Sequence, residues 1–230
     1  MILAVLQARM SSTRLPGKVL KPLLGRPMIE RQIERLGLCR RVDRLVVATS
    51  DDPGDDELTA CLVGLGVAVF RGPLDDVLGR FVGALDQFGP ARQVVRLTAD
   101  CPLTDWRLID RLIEMQVEFA WDYCANDLVR TWPQGLDAEI MTADALRTAA
   151  AEATDPGDRE HVTPFIYNRR ERFAIGSLTH DDDLSGHRWT VDTPDDFAFV
   201  ERVYEALYSA RPAFTTEDIL ALPFQRLQTD

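Results

Sequence analysis

Lysine is almost missing from this 230-residue chain: Lys18 and Lys21 are the only two, against 24 arginines. Cysteine is scarce too. Cys39, Cys61, Cys101 and Cys124 form no C-x-x-C pair, so neither a zinc knuckle nor a disulfide framework is indicated, and they read as core thiols. Positive charge is in deficit, with 26 Lys and Arg against 37 Asp and Glu and a net charge of −11. Such a surface repels a phosphate backbone, whose binding rests on cations displacing counterions, and a general nucleic-acid partner is excluded. No apolar run approaches the ~20 residues of a bilayer span. The opening apolar stretch gives way to Gln7 and Arg9 after six residues, with no basic leader, so we expect a soluble cytoplasmic protein with no membrane partner. Gly and Pro stand near average usage, which excludes collagen-like and low-complexity readings, and a hydrophobic share of 46% is enough for a sizeable core.

The placement of charge is more telling than its sum. Between Arg9 and Arg44 ten cations face three anions, a local +7 that leaves −18 for the rest of the chain. Both lysines lie in this segment. A lysine kept where arginine is the rule suggests a need for a compact point charge, as in phosphate binding; chance retention explains it equally well.

Apolar segments alternate in type. Ile2 to Leu6 is a short continuous run suited to a buried strand. Met28, Ile29, Ile33 and Leu36 then fall at helical spacing after Pro27, with charge on the other face. Arg44–Thr49 reads as a strand, 52–64 as a short helix, and Val67–Phe70 as another short run. A helical stripe from Leu74 to Leu85 leads to a strand at Gln93–Leu97. A further helix starts near Thr104, where Thr104 can cap and Asp105 favours the first turn. Alternation of this kind predicts a parallel α/β sheet, which binds ligands beyond the carboxyl ends of its strands. The second half is less regular: a strand over Leu136–Met141, an alanine-rich helix over Ala143–Ala153, a strand over Arg188–Val191, and a helix opening at Thr193-Pro194-Asp195-Asp196. No linker separates the halves, so we expect one domain over residues 1–230 with an elaborated C-terminal half.

Three places carry chemistry. Gln7 to Lys18 leaves the first strand with Arg9, Arg14 and Lys18, the hydroxyls of Ser11, Ser12 and Thr13, and Gly17, which is equipment for holding several phosphates. It is neither a Walker A loop, since Ser12 and Val19 occupy the positions that need Gly and Ser/Thr, nor a G-x-G-x-x-G turn. Asp100 ends a strand, and Asp192 lies between a strand and a helix. Facing a phosphate loop, the two would form a hard oxygen site for Mg²⁺; alone, Asp100 could equally be a turn former and Asp192 part of the helix start. His180 and Asp181 to Asp183 read as a solvated polar turn.

Four separated motifs, in order, resemble the cytidylyltransferase family: Gln7-Ala8-Arg9-x-x-Ser12-Thr13-Arg14-Leu15-Pro16-Gly17-Lys18-x-Leu20, Asp100-Cys101-Pro102-Leu103, Arg159-Glu160-His161-Val162-Thr163-Pro164 and Thr190-Val191-Asp192-Thr193-Pro194-Asp195-Asp196. The likeness is nearest to the spore coat polysaccharide biosynthesis protein F-like branch, related to CMP-KDO and CMP-sialic acid synthetases. The resemblance implies a three-layer, glycosyltransferase-A-like and Rossmann-like nucleotidyltransferase fold with a mostly parallel mixed sheet. It further implies a homodimer that uses CTP, Mg²⁺ and a small-molecule acceptor, transferring CMP to an acidic sugar in surface polysaccharide synthesis. Leu6 and Ala8 would meet the cytosine through their backbone; Arg9, Ser12, Arg14, Gly17 and Lys18 would hold the triphosphate; Asp100 and Asp192 would hold the metal. Arg71 and Arg80 are further nucleotide contacts, whereas Asp75 and Asp76 fit a helix N-terminus equally well. Gly135, Asp137, Glu139, Arg159 and His161 sit where the family recognises its acceptor, with His161 equally readable as a packed residue.

The chemistry gives these roles independent reasons. Attack on the α-phosphorus builds negative charge on the transferring group and on departing pyrophosphate, so cations belong where that charge develops, and no covalent intermediate is needed. Arg14, Lys18, Asp100 and Asp192 are accordingly the candidate catalytic residues. Ala99 before the metal Asp and Cys101-Pro102 after it depart from the sugar-acid synthetases. The attacking group is therefore open among an anomeric hydroxyl, a carboxylated sugar, a sugar phosphate and a phosphonate. Two other functions stand beside this one: a glycosyltransferase, although Asp100-Cys101-Pro102 lacks the second acid of a D-x-D pair, and a non-catalytic nucleotide-binding module.

Overall fold

In a computed structural model that describes residues 1–227, the first apolar run becomes an interior strand of a sheet. β1 (Ile2–Gln7) leads through a small hairpin, β2 (Pro22–Leu23) and β3 (Arg26–Pro27), to α1 (Met28–Leu36). Then come β4 (Arg44–Ser50), α2 (Asp56–Gly64), β5 (Ala68–Gly72), α3 (Val77–Phe88), β6 (Gln93–Thr98) and α4 (Trp106–Glu118). The second half contributes β7 (Tyr123–Ala125), β8 (Glu139–Thr142), α5 (Ala143–Glu152), α6 (Pro156–His161), α7 (Pro164–Tyr167), β9 (Ile175–Ser177), α8 (Pro194–Leu207) and α9 (Thr216–Leu220).

Seven strands join in the order β5-β4-β1-β6-β8-β7-β9. The first four are parallel, β8 is antiparallel to both its neighbours, and β9 is parallel to β7. This is the mostly parallel mixed sheet that the resemblance implied. Side chains alternate across it: Ala4 and Leu6 face a core shared with α1, α2, α4 and α8, while Leu3 and Val5 face one shared with α3, α5 and α7. Burial on both faces explains why β1 and β4 read as unbroken apolar runs.

The order of strands places the site. Growth proceeds from β1 to β4 and β5 on one side, and α3 then carries the chain back to β6 on the other side of β1. Strand order reverses between β1 and β6, and the crevice of such a sheet opens at the carboxyl ends of those two strands.

Several sequence expectations shift when the chain folds. Asp105, not Thr104, caps α4, accepting from the Arg107 N–H at 3.0 Å, because the Thr104 hydroxyl is turned back to donate to the Cys101 carbonyl at 2.6 Å. The single helix expected over 52–64 is divided: Pro53 opens a 3₁₀ turn, Pro53–Asp55, before α2. Asp76 delays the start of α3 to Val77 by capping it through the Gly79 N–H at 2.9 Å. Arg188–Val191 is not a strand. The Trp189 N–H bonds the Gln134 carbonyl and the Val191 N–H bonds the Asp100 carbonyl, so the segment is stapled to two loops and joins no ladder of the sheet. Among the described residues no helix is long and apolar enough to cross a membrane. All four thiols are free, Cys101 and Cys124 buried, Cys39 and Cys61 half-buried.

Candidate active site

Beyond the carboxyl ends of β1 and β6 lies a cavity of about 280 Å³. Gln7, Ala8, Arg9, Ser12, Thr13, Arg14, Lys18 and Val19 line it from the first loop; Thr98, Ala99 and Asp100 from the end of β6; Val77 and Arg80 from α3; Glu160 and His161 from α6; and Asp192 from the turn before α8. Nine sequence-predicted residues therefore meet at one place: Ala8, Arg9, Ser12, Arg14, Lys18, Arg80, Asp100, His161 and Asp192.

The loop after β1 is anchored at its root and its end. Ala8 continues the ladder by donating to the Ala48 carbonyl at 3.1 Å. The Met10 N–H donates to Asp55 at 2.7 Å, and this buried carboxylate also accepts from the hydroxyls of Thr49 and Ser50 and the Ser50 N–H. Burial raises the Asp55 pKa, but these hydrogen bonds outweigh it and hold the carboxyl below its ordinary value. At the far end Gly17 takes φ +67 and donates to the Met10 carbonyl at 3.1 Å, which closes the loop and starts the 3₁₀ turn Lys18–Leu20. Only a residue tolerant of the left-handed region fits there.

Lys18 is the hub. Its Nζ lies 2.6 Å from the Val191 carbonyl, 3.1 Å from Asp192 Oδ1 and 3.4 Å from Asp100 Oδ2. Arg14 Nη2 stands 3.1 Å from the same Asp192 oxygen, and Arg188 Nη2 donates to Asp192 Oδ2 at 2.9 Å. Burial pushes the Asp192 carboxyl up, but Lys18, Arg188 and Arg14 together pull it below the ordinary carboxylate range. Arg80 is buried, which lowers its pKa, and the nearby Arg9 lowers it further.

The opposite wall is carried by an uncommon turn. Buried Val162 has φ +73, and the Thr163 N–H closes a three-residue turn onto the His161 carbonyl at 2.9 Å. A β-branched residue in this region is strained. The Thr163 hydroxyl donates to Glu139 Oε1 at 3.2 Å, and Glu139 Oε2 accepts from Arg96 Nη1 at 2.9 Å, a pair buried beneath the turn.

Other sequence candidates lie outside the cavity lining. Leu6 is fully buried within β1 at the level of Val47 and Leu97. Gly17 shapes the loop without lining the cavity. Arg71 is spent on the carbonyls of Ser50 and Asp52 and on Asp56. Gly135, at φ +105, packs against the Thr190 backbone, and Asp137 pairs with Arg130 at 2.7 Å. Glu139 serves the buried pair just described. Arg159 turns away to the Ala150 and Ala153 carbonyls and to Asp76 at 2.7 Å, and its neighbour Glu160 lines the cavity instead. Asp76 is thus a cap and ion-pair partner, and Asp75 is exposed. Lys21 lies over the Phe197 ring, 4.8 Å from its centre, away from the phosphate loop. Glu160 and Asp55 were not singled out from the sequence. Glu160 stood inside a quoted motif, while Asp55 was hidden among four acids at 51–56.

Among the described residues no group of three or more His, Cys, Asp or Glu side chains converges. Asp100 and Asp192 do converge, on one ammonium, and both are oxygen donors. That set fits Mg²⁺, which takes one or two carboxylates and completes its shell with water and substrate phosphates.

Comparisons with known proteins bear on the family and the fold. A family model described as Cytidylyltransferase matches residues 3–217. The chain is 32% identical over 228 residues to the spore coat polysaccharide biosynthesis protein SpsF of Bacillus subtilis, covering 96% of this chain and 93% of that one. A cytidylyltransferase structure from Leptospira borgpetersenii superposes with a TM-score of 0.90 at 29% identity, over 95% of this chain and 92% of the other. A CMP:2-keto-3-deoxy-manno-octonic acid synthetase solved with CTP shares the fold, with a TM-score of 0.68 at 18% identity over 89% of this chain and 98% of that one. With a family model spanning nearly its whole length, the chain belongs to the cytidylyltransferase family.

Proposed function

We propose that this enzyme transfers CMP from CTP to a small acidic sugar or a related acceptor, releasing pyrophosphate, and serves surface polysaccharide synthesis. The observation that carries the reading is the meeting of Arg9, Arg14, Lys18 and Arg80 with Asp100 and Asp192 in one crevice at the strand-order reversal. Ligand-binding cavities of α/β sheets lie at this place, and the charge complement is that of a metal-assisted triphosphate site. The SpsF likeness supports the pathway, and the CTP held by a protein of the same fold supports the nucleotide.

Arg14 and Lys18 lie nearest the two carboxylates and would neutralise the leaving pyrophosphate. Arg9, Ser12 and Arg80 would orient the remaining phosphates, and the backbone at Ala8 would face the base. Asp100 and Asp192 would hold the divalent cation, which when bound supplies Lewis-acid neutralisation of the phosphate oxygens. Glu160 and His161 form the wall facing this cluster and would meet the acceptor, with Gly135, Asp137, Glu139 and Arg159 shaping that side from behind. The protein contributes position and charge, and no covalent intermediate is required.

The test is pyrophosphate release from CTP, ATP, GTP and UTP with Mg²⁺ against a panel of 2-keto sugar acids, sugar phosphates and phosphonates. Release confined to CTP and one acceptor class upholds the proposal. Turnover of a nucleotide sugar without pyrophosphate overturns it in favour of glycosyl transfer. We also propose a homodimer, seated on the exposed Val117 and Phe119, the latter stacked on the half-buried Trp121. A monomer by light scattering at micromolar concentration would reject it.

A further inference from the structure

The charged groups of this site are each other's partners. Lys18 satisfies its three ammonium protons on the Val191 carbonyl, Asp192 and Asp100, and its side chain is only 11% exposed. The residues proposed to hold phosphates thus neutralise the residues proposed to hold the metal.

The two sides of this arrangement differ in how firmly they are fixed. The Val191 N–H and the Thr190 hydroxyl both donate to the Asp100 carbonyl, at 2.8 and 3.2 Å, so the two carboxylates share one backbone frame. The Asp192 N–H donates to Asp196, and Arg188 holds the second Asp192 oxygen independently of Lys18. Lys18 has only a flexible four-carbon stem behind its charge. The carboxylates are the frame, and the lysine is the exchangeable part.

A free divalent cation entering between Asp100 and Asp192 meets a like charge within a few ångströms, and a free triphosphate reaching for Lys18 and Arg14 meets two carboxylates. Each ligand alone is opposed. Entering together, they permit a partner-for-partner exchange in which the carboxylates trade ammonium for metal and the cations trade carboxylate for phosphate oxygen. We infer that Lys18 is a built-in occupant of the cation site, so that the protein takes up the divalent cation and the nucleoside triphosphate as one complex, with positive coupling between them. The inference rests on the metal and nucleotide assignments proposed above.

Calorimetric titration of the full-length protein with Mn²⁺ tests it. In the wild type Mn²⁺ alone should bind weakly, and saturating CTP should tighten it on the order of tenfold to a hundredfold, with the same factor appearing in CTP affinity when Mn²⁺ replaces a chelator. Lys18→Met should tighten Mn²⁺ alone by a similar factor and abolish most of the coupling. Lys18→Arg, which retains the charge, should leave Mn²⁺ alone weak, and circular dichroism on both variants controls for folding. Equal Mn²⁺ affinity with and without bound CTP in a wild type that does bind CTP, or no gain in Lys18→Met, overturns the inference. If no triphosphate binds under any condition while Lys18→Met still gains Mn²⁺, the lysine is the occupant and it is the nucleotide reading that falls.

Discussion

Asp192 and Asp127 stand on opposite sides of the molecule's electrostatics. Asp192, at the end of the crevice proposed for the nucleotide, has cations on both oxygens, and their attraction outweighs burial to hold its carboxyl below the ordinary range. Asp127 follows β7 in the antiparallel extension of the sheet, with its Oδ1 buried and without a hydrogen-bond partner among the described residues. Burial first, then Glu139 and Asp137, raise its pKa to about 6, and Arg130 is too distant at 3.9 Å to reverse this. The contrast separates two uses of charge. In the crevice, opposite charges are held in partly accessible pairs that a ligand can trade. Beneath the wall proposed for the acceptor, cations are committed to internal partners, and one carboxylate is left over.

The sharpest way to break this contrast is to attack the buried pair. Glu139→Ala leaves Arg96 uncompensated in the interior and removes the acceptor for Thr163. It should cost about 3–5 kcal/mol, read as a fall in the urea midpoint. Replacing both partners by apolar residues should cost much less. A small loss in the single variant would mean that this charge is not structural.

Lys18→Ala and Asp100→Ala attack the other region. Removing a group that meets developing charge should lower CTP-dependent pyrophosphate release on the order of 10²–10³-fold. The urea midpoint should stay near the wild type, since Asp100 is 31% exposed and Asp192 retains Arg14 and Arg188 without Lys18. A midpoint that collapsed together with activity would erase the distinction between exchangeable and structural charge.

The same division explains what the sequence revealed. The proposed nucleotide side was legible because one contiguous loop, Gln7 to Lys18, carries most of its charged and hydroxyl side chains, and β1 is a run whose burial on both faces is plain. Asp100 and Asp192 were found as acids at strand ends, although the segment before Asp192 proved to be a stapled loop. The proposed acceptor side is assembled from β7, β8, β9 and α6, of three to six residues each, too short for periodicity to show. Arg159 and Glu139 stand out in the sequence because they are charged and near the right motifs, whereas the internal hydrogen bonds that each makes could not be read from it. Ten cations crowd the first 44 residues, yet only Arg9, Arg14 and Lys18 among them line the cavity. Arg35, for example, is buried on the Thr104 and Phe214 carbonyls and the Phe214 ring.

Gly135 joins the two regions and sharpens the comparison. At φ +105 an alanine there would set its Cβ 2.3 Å from the Thr190 nitrogen, a backbone atom that cannot swing aside. Gly135→Ala should cost about 1–3 kcal/mol. It should also weaken CTP binding, because the Thr190–Asp192 segment that it displaces carries a proposed metal carboxylate. Loss of stability with unchanged CTP affinity would show that the segment yields without moving Asp192.

The smallest effect tests the contrast by its sign. A carboxyl with a raised folded pKa, as at Asp127, binds more protons folded than unfolded between about pH 4 and about 6, so its contribution to stability declines as pH rises through that window and stays low above it. Asp192, whose folded pKa is lowered, contributes stability at neutral pH that is lost as pH falls through the acid range. Asp127→Asn keeps the shape and removes the charge, and should stabilise the protein at neutral pH by about 1–2 kcal/mol, allowing for the solvent that reaches the side chain. Near pH 4 the gain should vanish, because the wild-type carboxyl is then protonated when folded. Urea midpoints of both proteins across this range measure it. A gain independent of pH would place the benefit in packing, and a loss at neutral pH would mean that Asp127 has a cationic partner in solution and that the acceptor side, too, holds its charges in pairs.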